Sequence, residues 1–539
     1  MLNKSNGARL SFRSLSIEEV TIKMTHEPSL LIMYETYIPV YTPVEATSLD
    51  HFCRSSKSVV KAKMWLVNTF LLMGITQIHA DYPALQAVLS QKGLQKVSHW
   101  MTDWLQKELS TIKLPEVRGS VDIVLGSVYY VLHDMTVVRC DLPEPSVAFL
   151  EGTGVSLQVS GLSLAISGRW NTEFGIIHDS GWFDLAVYTI NLKTLLEFQS
   201  TEEHLSISTV ICSADVGGVQ VHFHGGASFF FQPFVEGFSG RITEMIRERI
   251  CPGIQSGIEN INEVLAASET VKMDPYVYLN ISLTDSPVVF ENGFELNVKG
   301  EFYSSSSPSE PPFSPNHFEL PWKADYMLSV GMSDFCVNSA AFAYLKSGVL
   351  NITIEDDMIP KASPIHLNTS QFGILIPQLP KLYPDMEMEV LLYASDTPLI
   401  SFNQTMINVD LSAAAKFYAI KTSNDLIPLF RLDMQYSFIA KVQIDNQLLK
   451  GVLKMKNLTI LLGSTEIEKF DVAPIERMVK LAMSSFVLPK MNARLQEGLP
   501  LPRVKGFNLS NSVMTIENGF LFVATDIISP FDFLQSDKL

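Results

Sequence analysis

The sequence predicts an α+β protein made of two similar halves that are joined by a linker rich in proline and serine. Three observations support this fold class. Both halves contain stretches in which apolar and polar residues alternate, which is typical of strands. A few longer stretches carry apolar residues at helical spacing. The tetrapeptide ENGF occurs once in each half, at residues 291–294 and 517–520.

The strand pattern is clear in both halves. In the second half, Met386, Met388 and Val390 share one face, and the glutamates between them lie on the other. In the first half, the segment VSLQVSGLSLAIS alternates on both sides of Gly161. A glycine between two strand patterns predicts a bend or bulge of the kind that barrels use.

Three amphipathic helices are predicted from apolar spacing. The first carries Leu94, Val97, Met101 and Leu105, with Trp100 and Trp104 alongside. The second carries Phe231, Phe234, Phe238, Ile242, Met245 and Ile246, and the third Met478, Leu481, Phe486 and Val487. Two interpretations of these faces stay open, which are ordinary core packing and the lining of an elongated pocket for an apolar ligand.

The break between the halves lies at residues 299–321, where four consecutive serines and five prolines favour an extended, solvated backbone. ENGF precedes this linker and recurs near the chain end, each time after a predicted helix and as an Asn-Gly turn into a strand. Chance is one explanation for four shared residues, but the matched positions favour an ancient duplication. The predicted domains are therefore 81–298 and 322–539.

Residues 61–80 have the layout of a secretory signal, with Lys61 and Lys63 before an apolar run that ends at Ala80. A buried helix is the alternative interpretation. Because such a signal normally stands at the N-terminus, Met64 is the predicted working start, residues 64–80 the signal peptide and residues 1–63 a non-structural extension. No other run has the length and apolarity of a transmembrane helix, so we expect a secreted, extracellular protein.

The net charge of the chain is −17. Removing residues 1–80, which hold eight Lys/Arg and six Asp/Glu, leaves −19. Nucleic acid is therefore excluded as a partner, since phosphate binding needs clustered positive charge. In a secreted chain a disulfide is the default, but spacing leaves the pairing open among Cys140, Cys212, Cys251 and Cys336.

Six N-x-S/T motifs support the secreted interpretation. They begin at Asn280, Asn351, Asn368, Asn403, Asn457 and Asn508. We expect glycans on these residues, with unused surface asparagine as the alternative for one or two.

Catalytic signatures are absent from the sequence, which contains no G-x-S-x-G, HExxH, Walker loop or G-x-G-x-x-G. His222 and His224 share a strand face but have no third ligand in the pattern, so we expect surface or core histidines rather than a metal site. The run from Glu355 to Asp357 is interpreted as a polar turn that closes a strand. We expect no enzyme activity, no metal and no cofactor.

Several motifs resemble the bactericidal/permeability-increasing protein family, which includes lipopolysaccharide-binding protein and the phospholipid and cholesteryl-ester transfer proteins. The motifs are SGRW (167–170), KGEFY with PPFSP (299–315), GVLNITIEDDMIPK (348–361) and VLPKMNARLQEGLPLP (487–502). The resemblance implies a boomerang of two barrels, each a twisted antiparallel sheet wrapped by helices, joined by a central antiparallel sheet. It also implies a Cys212–Cys251 disulfide, with Cys140 and Cys336 unpaired and buried.

The resemblance further implies one apolar pocket in each half that holds phospholipid acyl chains. We expect the lipid-binding residues to be Val97, Met101, Leu105, Phe234, Phe238, Ile242 and Met245 in the first half, and Met478, Leu481 and Phe486 in the second.

Charge separates this chain from the lipopolysaccharide-binding members of that family, which carry lysines and arginines after the SGRW-like motif. Here that segment contains Glu173 and Asp179, and residues 81–270 hold 11 Lys/Arg against 22 Asp/Glu, a net of −11. Arg169 is the basic residue nearest the expected tip. The densest basic cluster, formed by Arg241, Arg247 and Arg249, is interspersed with Glu244 and Glu248, which favours intrahelical pairing.

Two functions follow as expectations. The first is extracellular binding and transfer of phospholipid or other acyl lipids, with transient contact to a membrane or lipoprotein surface. The alternative is binding of lipopolysaccharide, through lipid A, by an antimicrobial protein of innate immunity against Gram-negative bacteria. An enzyme that acts on lipid and an interaction protein with vestigial pockets are the remaining interpretations.

Overall fold

The computed structural model describes residues 82–528, apart from 110–112, 115, 124–125, 227, 268–269, 360, 362, 364, 424, 446–447 and 501–507. The described residues belong to one compact unit, residues 80–539. The predicted extension and signal peptide lie outside the described residues.

The first part of the chain forms long strands and two long helices. The helices are α1 (Gln91–Leu109) and α2 (Ser228–Ala266). The strands are β1 (Leu85–Ser90), β2 (Lys113–Leu114), β3 (Val117–Ile123), β4 (Gly126–Asp141), β5 (Ser146–Leu150), β6 (Gly154–Phe174), β7 (Ile177–Thr201), β8 (His204–His224), β9 (Thr270–Lys272), β10 (Val277–Asn280), β11 (Val288–Phe290), β12 (Gly293–Val298) and β13 (Glu301–Ser304).

The second part repeats this arrangement with shorter helices. The helices are α3 (Asp334–Lys346), α4 (Thr369–Phe372), α5 (Leu379–Leu382), α6 (Ala473–Ala482) and α7 (Leu488–Glu497), with a π-helical turn (Met483–Val487) between the last two. The strands are β14 (Leu328–Ser333), β15 (Asn351–Ile354), β16 (Glu387–Ala394), β17 (Leu399–Asn403), β18 (Met406–Ile420), β19 (Leu426–Asp445), β20 (Leu448–Thr465), β21 (Leu499–Pro500), β22 (Asn508–Ile516) and β23 (Phe520–Ile528).

Each half is organised around its own antiparallel sheet. The N-terminal sheet has the order β2-β4-β6-β7-β8, with β3 and β5 paired to β4 and β6. The C-terminal sheet has the order β15-β16-β18-β19-β20-β21, with β17 paired to β18. Register shifts interrupt the long strand pairs in both sheets, including one beside Gly161, whose φ is +81°. The predicted bulge at Gly161 is therefore confirmed.

A central sheet takes strands from both halves in the order β11-β12-β1-β14-β23-β22. The sheet therefore consists of two equivalent sets of three strands, one set from each half, which meet where β1 pairs with β14. Each ENGF segment provides a turn between two of these strands, since β12 begins at Gly293 and β23 at Phe520. The first residues of α1 and α3, Gln91 and Asp334, both donate backbone hydrogen bonds to carbonyls within these turns. The predicted Asn-Gly turns are thus confirmed.

The α+β fold class predicted from the sequence is confirmed, with two curled antiparallel sheets and a central sheet. The run from Glu355 to Asp357 leads into a short 3-10 turn, Asp356–Met358, after β15, which agrees with the predicted polar turn. The domain boundaries remain predictions, and the predicted linker contributes strand β13.

Candidate lipid-binding faces

The inner face of the N-terminal sheet is built from rows of apolar residues that are paired across β6, β7 and β8, and we call each row a rung. The rungs are Gly168–Phe183–Phe223, Ile166–Leu185–Val221, Leu164–Val187–Val219 and Leu162–Ile190–Val216. Ile246 and Ile250 of α2 pack against the rungs that contain Val187 and Ile190. Strand alternation therefore produces one continuous apolar face, and α2 lies across it.

The C-terminal sheet repeats the construction on β18, β19 and β20. Its rungs are Leu411–Tyr436–Leu458, Ala413–Met434–Ile460 and Ala415–Leu432–Leu462. Ile475 of α6 and Leu488 of α7 are buried in the same cluster. Both halves therefore present an apolar sheet face that is crossed by amphipathic helices.

An asparagine joins the helix to a strand in each half, and we call this arrangement an amide clamp. Asn262 Oδ1 accepts a hydrogen bond from Ile207 N (2.9 Å), and its Nδ2 donates to Ile207 O (2.8 Å). Asn492 makes the same pair of bonds with Leu453, at 2.7 and 2.9 Å. Neither asparagine was predicted from the sequence, although Asn492 lies inside the VLPKMNARLQEGLPLP motif.

A disulfide between Cys212 and Cys251 ties α2 to β8, which is the pairing that the family resemblance implies. Cys140 and Cys336 are unpaired and buried. Burial raises the pKa of the Cys336 thiol to about 12, so this thiol stays protonated at physiological pH. The two free cysteines are therefore expected to be chemically inert.

The structure describes only part of the predicted N-terminal pocket lining. Val97 is half-buried on α1 and Met101 is exposed. The amides of Gln91 and Gln106 anchor the same helix by donating to carbonyls of β5 and β4. The side chains of Leu105, Phe234, Phe238, Ile242 and Met245 lie outside the described residues, so their role remains a prediction.

The predicted C-terminal residues divide into two environments. Met478 packs against the core cluster, whereas Leu481 and Phe486 are exposed. The π-helical turn between α6 and α7 adds a residue to one turn and rotates the helix face, so simple helical spacing does not hold across it. Val487 and Met491 extend the same uncovered apolar stretch.

A cavity of about 290 Å³ lies beside β18, β19 and β20 of the C-terminal sheet, and Ala413 and Met434 of the core cluster contribute to its lining. Its lining includes Asp396, Ser412, Asp433, Gln435 and Thr459. Carboxylates and hydroxyls do not favour an acyl chain, so this cavity is not the predicted lipid pocket.

The predicted glycosylation sites differ in accessibility. Asn351, Asn403 and Asn457 are exposed, whereas Asn280, Asn368 and Asn508 are half-buried. Asn368 Oδ1 accepts a hydrogen bond from Gln371 N (2.8 Å) and caps α4. Glycosylation stays a prediction, and the first three sites are the most accessible.

Of the two histidines that share a face of β8, His222 and His224, the second has local partners. The ring of His224 stacks on Trp182 with centroids 3.7 Å apart, and its Nε2 lies 3.3 Å from Asp184 Oδ2. Within residues 82–528, outside the gaps given above, no three His, Cys, Asp or Glu side chains are grouped to hold a metal ion. In the same part of the chain, no helix combines the length and apolar character needed to cross a membrane.

Comparison with known proteins decides the family. The N-terminal domain model of the LBP / BPI / CETP family matches residues 93–261, and the C-terminal domain model matches residues 271–528. The bactericidal permeability-increasing protein of Sebastes schlegelii is 32% identical over 449 residues, which covers 83% of this chain and 95% of that protein. This chain belongs to the LBP/BPI/CETP family.

Other members of the LBP/BPI/CETP family match over a similar span. The lipopolysaccharide-binding protein of Homo sapiens is 27% identical over 474 residues, or 87% of this chain and 98% of that protein. A solved crystal structure of lipopolysaccharide binding protein aligns with 83% of this chain and 99% of that chain, at 24% identity and a TM-score of 0.49. As a member of this family, the chain is related to lipid-binding proteins.

Proposed function

We propose that this chain is a secreted, non-enzymatic protein that binds lipids and transfers them between lipid surfaces. In this proposal the apolar face of each half holds acyl chains of a phospholipid. The observation that carries it is the repeated construction of the two faces, each crossed by a helix that an amide clamp joins to a strand. Met101, Leu481 and Phe486, which sequence analysis assigned to lipid, are large apolar side chains that protein atoms leave exposed.

The energetics favour exchange without an external energy source. A phospholipid with two sixteen-carbon chains buries about 30 methylenes, worth about 24 kcal/mol at ~0.8 kcal/mol each. The same lipid gains nearly as much inside a bilayer, so moving it between bilayer and protein is close to balanced. A carrier of this kind needs only to dock, open and exchange.

Binding of lipopolysaccharide is the second candidate function, and the names of the relatives favour it. The charge of the N-terminal half opposes it, because residues 81–270 carry a net −11 and lipid A phosphates would be repelled. Arg247, one of the few basic residues there, pairs with Glu244 at 3.2 Å, which agrees with the predicted intrahelical pairing. Any lipopolysaccharide binding should therefore come from acyl-chain burial.

Two assays on the full chain test this proposal. Labelled phosphatidylcholine should move from donor to acceptor vesicles faster in the presence of the protein. Lipopolysaccharide should bind no better than phosphatidylcholine, with an affinity nearly insensitive to salt, since charge attraction is the part that salt screens. Tight lipopolysaccharide binding that weakens steeply with salt, and that is lost when Arg169, Arg241, Arg247 and Arg249 are replaced, would favour the second candidate.

A further inference from the structure

The cavity beside β18, β19 and β20 lies next to a gap in the C-terminal sheet. β16 ends at Ala394 and β17 begins at Leu399, and both strands pair with β18. Ser395 and Asp396, which belong to the connection between these two strands, contribute to the lining of the cavity. Its volume of about 290 Å³ is many times the space that one water molecule needs and gives room for a sugar ring.

The lining of this cavity is mostly polar. Ser412, Gln435 and Thr459 are paired across β18, β19 and β20, and all three contribute to it. They alternate along their strands with buried residues of the core cluster, so their side chains point to the opposite face of the sheet. Asp433 and the 60% exposed Leu461 complete this side of the lining. Such a set of hydroxyl, amide and carboxylate groups beside one apolar side chain suits a sugar, which carries hydroxyl groups around an apolar ring face.

One of the six N-x-S/T motifs lies at this cavity. Thr459 is both a lining residue and the threonine of the motif that begins at Asn457. Asn457 is exposed, whereas Leu458 between them is buried in the core cluster. Two residues of a strand span about 7 Å, and their side chains lie on the same face. A glycan attached to Asn457 would therefore begin beside the cavity.

The other two exposed motif asparagines lie farther from the cavity. Asn403 pairs with Met406 at the turn between β17 and β18, and Met406 is about 20 Å along β18 from Ser412 at the usual rise of a strand. Asn351 belongs to β15, which β16 and β18 separate from β19, a distance of about 14 Å at the usual spacing of strands. Asn457 is therefore the best placed of the three.

We propose that the N-linked glycan of Asn457 folds back into this cavity, where its first sugars form hydrogen bonds with Asp396, Ser412 and Gln435 and cover Leu461. The glycan is tethered next to the cavity, so binding is intramolecular and needs little intrinsic affinity. The bound sugars would cover the gap between β16 and β17 and stabilise the sheet there. No part of this proposal involves bound lipid, so it stands or falls independently of the transfer function.

The first test measures how fast an N-glycosidase releases each glycan from the folded, secreted full chain, with glycopeptide mass spectrometry as the readout. The glycan of Asn457 should be released about tenfold more slowly than that of Asn403, which corresponds to a pair of hydrogen bonds. After denaturation the two rates should agree. Gln435→Ala should remove most of the protection at Asn457. The matched control is Gln443→Ala, at another exposed glutamine of β19, which should leave the release rate unchanged.

The second test measures the coupling between the glycan and the lining. Asn457→Gln removes the glycan and should lower the thermal unfolding midpoint of the wild type. In the Gln435→Ala background the same change should have a smaller effect, because the glycan has already lost part of its contacts. Asn403→Gln removes a glycan outside the cavity and should leave the midpoint unchanged. These unfolding curves also show that each variant is folded.

Several results would overturn the proposal. These are secreted protein without a glycan on Asn457, equal release rates at Asn457 and Asn403 in the folded protein, and equal acceleration by Gln435→Ala and Gln443→Ala. A midpoint loss from Asn457→Gln that is the same in both backgrounds would also contradict it. Protection of the Asn351 glycan that depends on Gln435, with free release at Asn457, would assign the cavity to the Asn351 glycan instead.

Discussion

At the scale of single residues, the amide clamps are the side chains that fix the helices over the sheets. The Asn262 side chain satisfies both backbone groups of Ile207, and the Asn492 side chain does the same for Leu453. If the asparagine side chain is removed, the backbone N–H and C=O of the strand residue stay partly buried but lose their hydrogen bonds. The cost of taking these two groups out of water is then no longer offset. One amide in each half therefore helps to hold the helix in place, beside the Cys212–Cys251 disulfide in the first half and the hydrogen bond from Gln496 Nε2 to Gly451 O in the second.

Replacing Asn262 by alanine should lower the free energy of unfolding by about 1–3 kcal/mol, because Ile207 N and O lose their partners. Asn260, exposed on the same helix, provides the control, and Asn260→Ala should leave stability nearly unchanged. Thermal unfolding of both variants checks the prediction. Equal midpoints for the two variants would mean that the clamp is not stabilising.

A second residue-scale feature links helix α3 to the segment between β9 and β10. Tyr344 Oη donates to Asp274 Oδ2 at 2.6 Å. This bond is the main reason that the pKa of Asp274 lies below its ordinary value of 3.8. Burial, followed by the nearby Asp274, raises the pKa of Tyr344 from 10.0 to about 12.

The two pKa shifts predict where the Tyr344 hydrogen bond stabilises the protein. A lowered carboxyl pKa contributes stability that is lost as the pH falls below 3.8, and a raised phenol pKa contributes stability that is lost between pH 10.0 and about 12. Tyr344→Phe should therefore lower the unfolding midpoint at neutral pH, and the difference from wild type should shrink at both extremes. Tyr276→Phe, at an exposed tyrosine nearby, is the control. A difference that stays constant across pH would contradict the linkage.

At the scale of elements, the sequence pattern predicted the presence of strands and helices better than their connections. The Asn-Gly turns were recognisable because their residues favour left-handed backbone. The β7–β8 turn was not, since it uses Glu202 and Glu203 at φ values of +52° and +65°. The π-helical turn between α6 and α7 was also hidden, because a change of helical phase depends on packing that spacing does not encode.

Replacing Glu202 by asparagine should stabilise the protein by about 1 kcal/mol, since asparagine adopts the left-handed region at lower cost. Glu203 is retained because it pairs with Lys299 at 2.7 Å. The control is Glu151→Asn, at an exposed turn residue without a positive φ. An unfolding midpoint for Glu202→Asn that is no higher than that of wild type would contradict the prediction.

At the scale of the whole molecule, the repeated ENGF turn predicted the duplication, and the order of the central sheet agrees with it. The pairing of β1 with β14 could not be predicted, because Leu85 and Met332 meet only when both halves have formed. The predicted N-terminal lipid-binding residues were chosen by helical spacing, and most of them lie on parts of α1 and α2 whose side chains are not described. The pocket assignment therefore still depends on a direct measurement of bound lipid.

If each half holds its own lipid, a charge in one half should empty that half alone. Phe486→Asp should reduce the phospholipid bound per chain from about two molecules to about one, because an aspartate among acyl chains costs several kcal/mol. Leu426→Asp, at another exposed apolar residue of the same half, should leave the lipid count unchanged. Loss of all lipid, or of none, from folded Phe486→Asp protein would argue against independent pockets.

The most direct test of lipid binding is native mass spectrometry of the wild-type protein recovered from the medium of secreting cells, followed by identification of the extracted lipid. We expect phospholipid in defined stoichiometry, up to about two molecules per chain, on protein that contains the Cys212–Cys251 disulfide. Folded, disulfide-bonded protein that carries no lipid, and that takes up none from phosphatidylcholine vesicles, would contradict it.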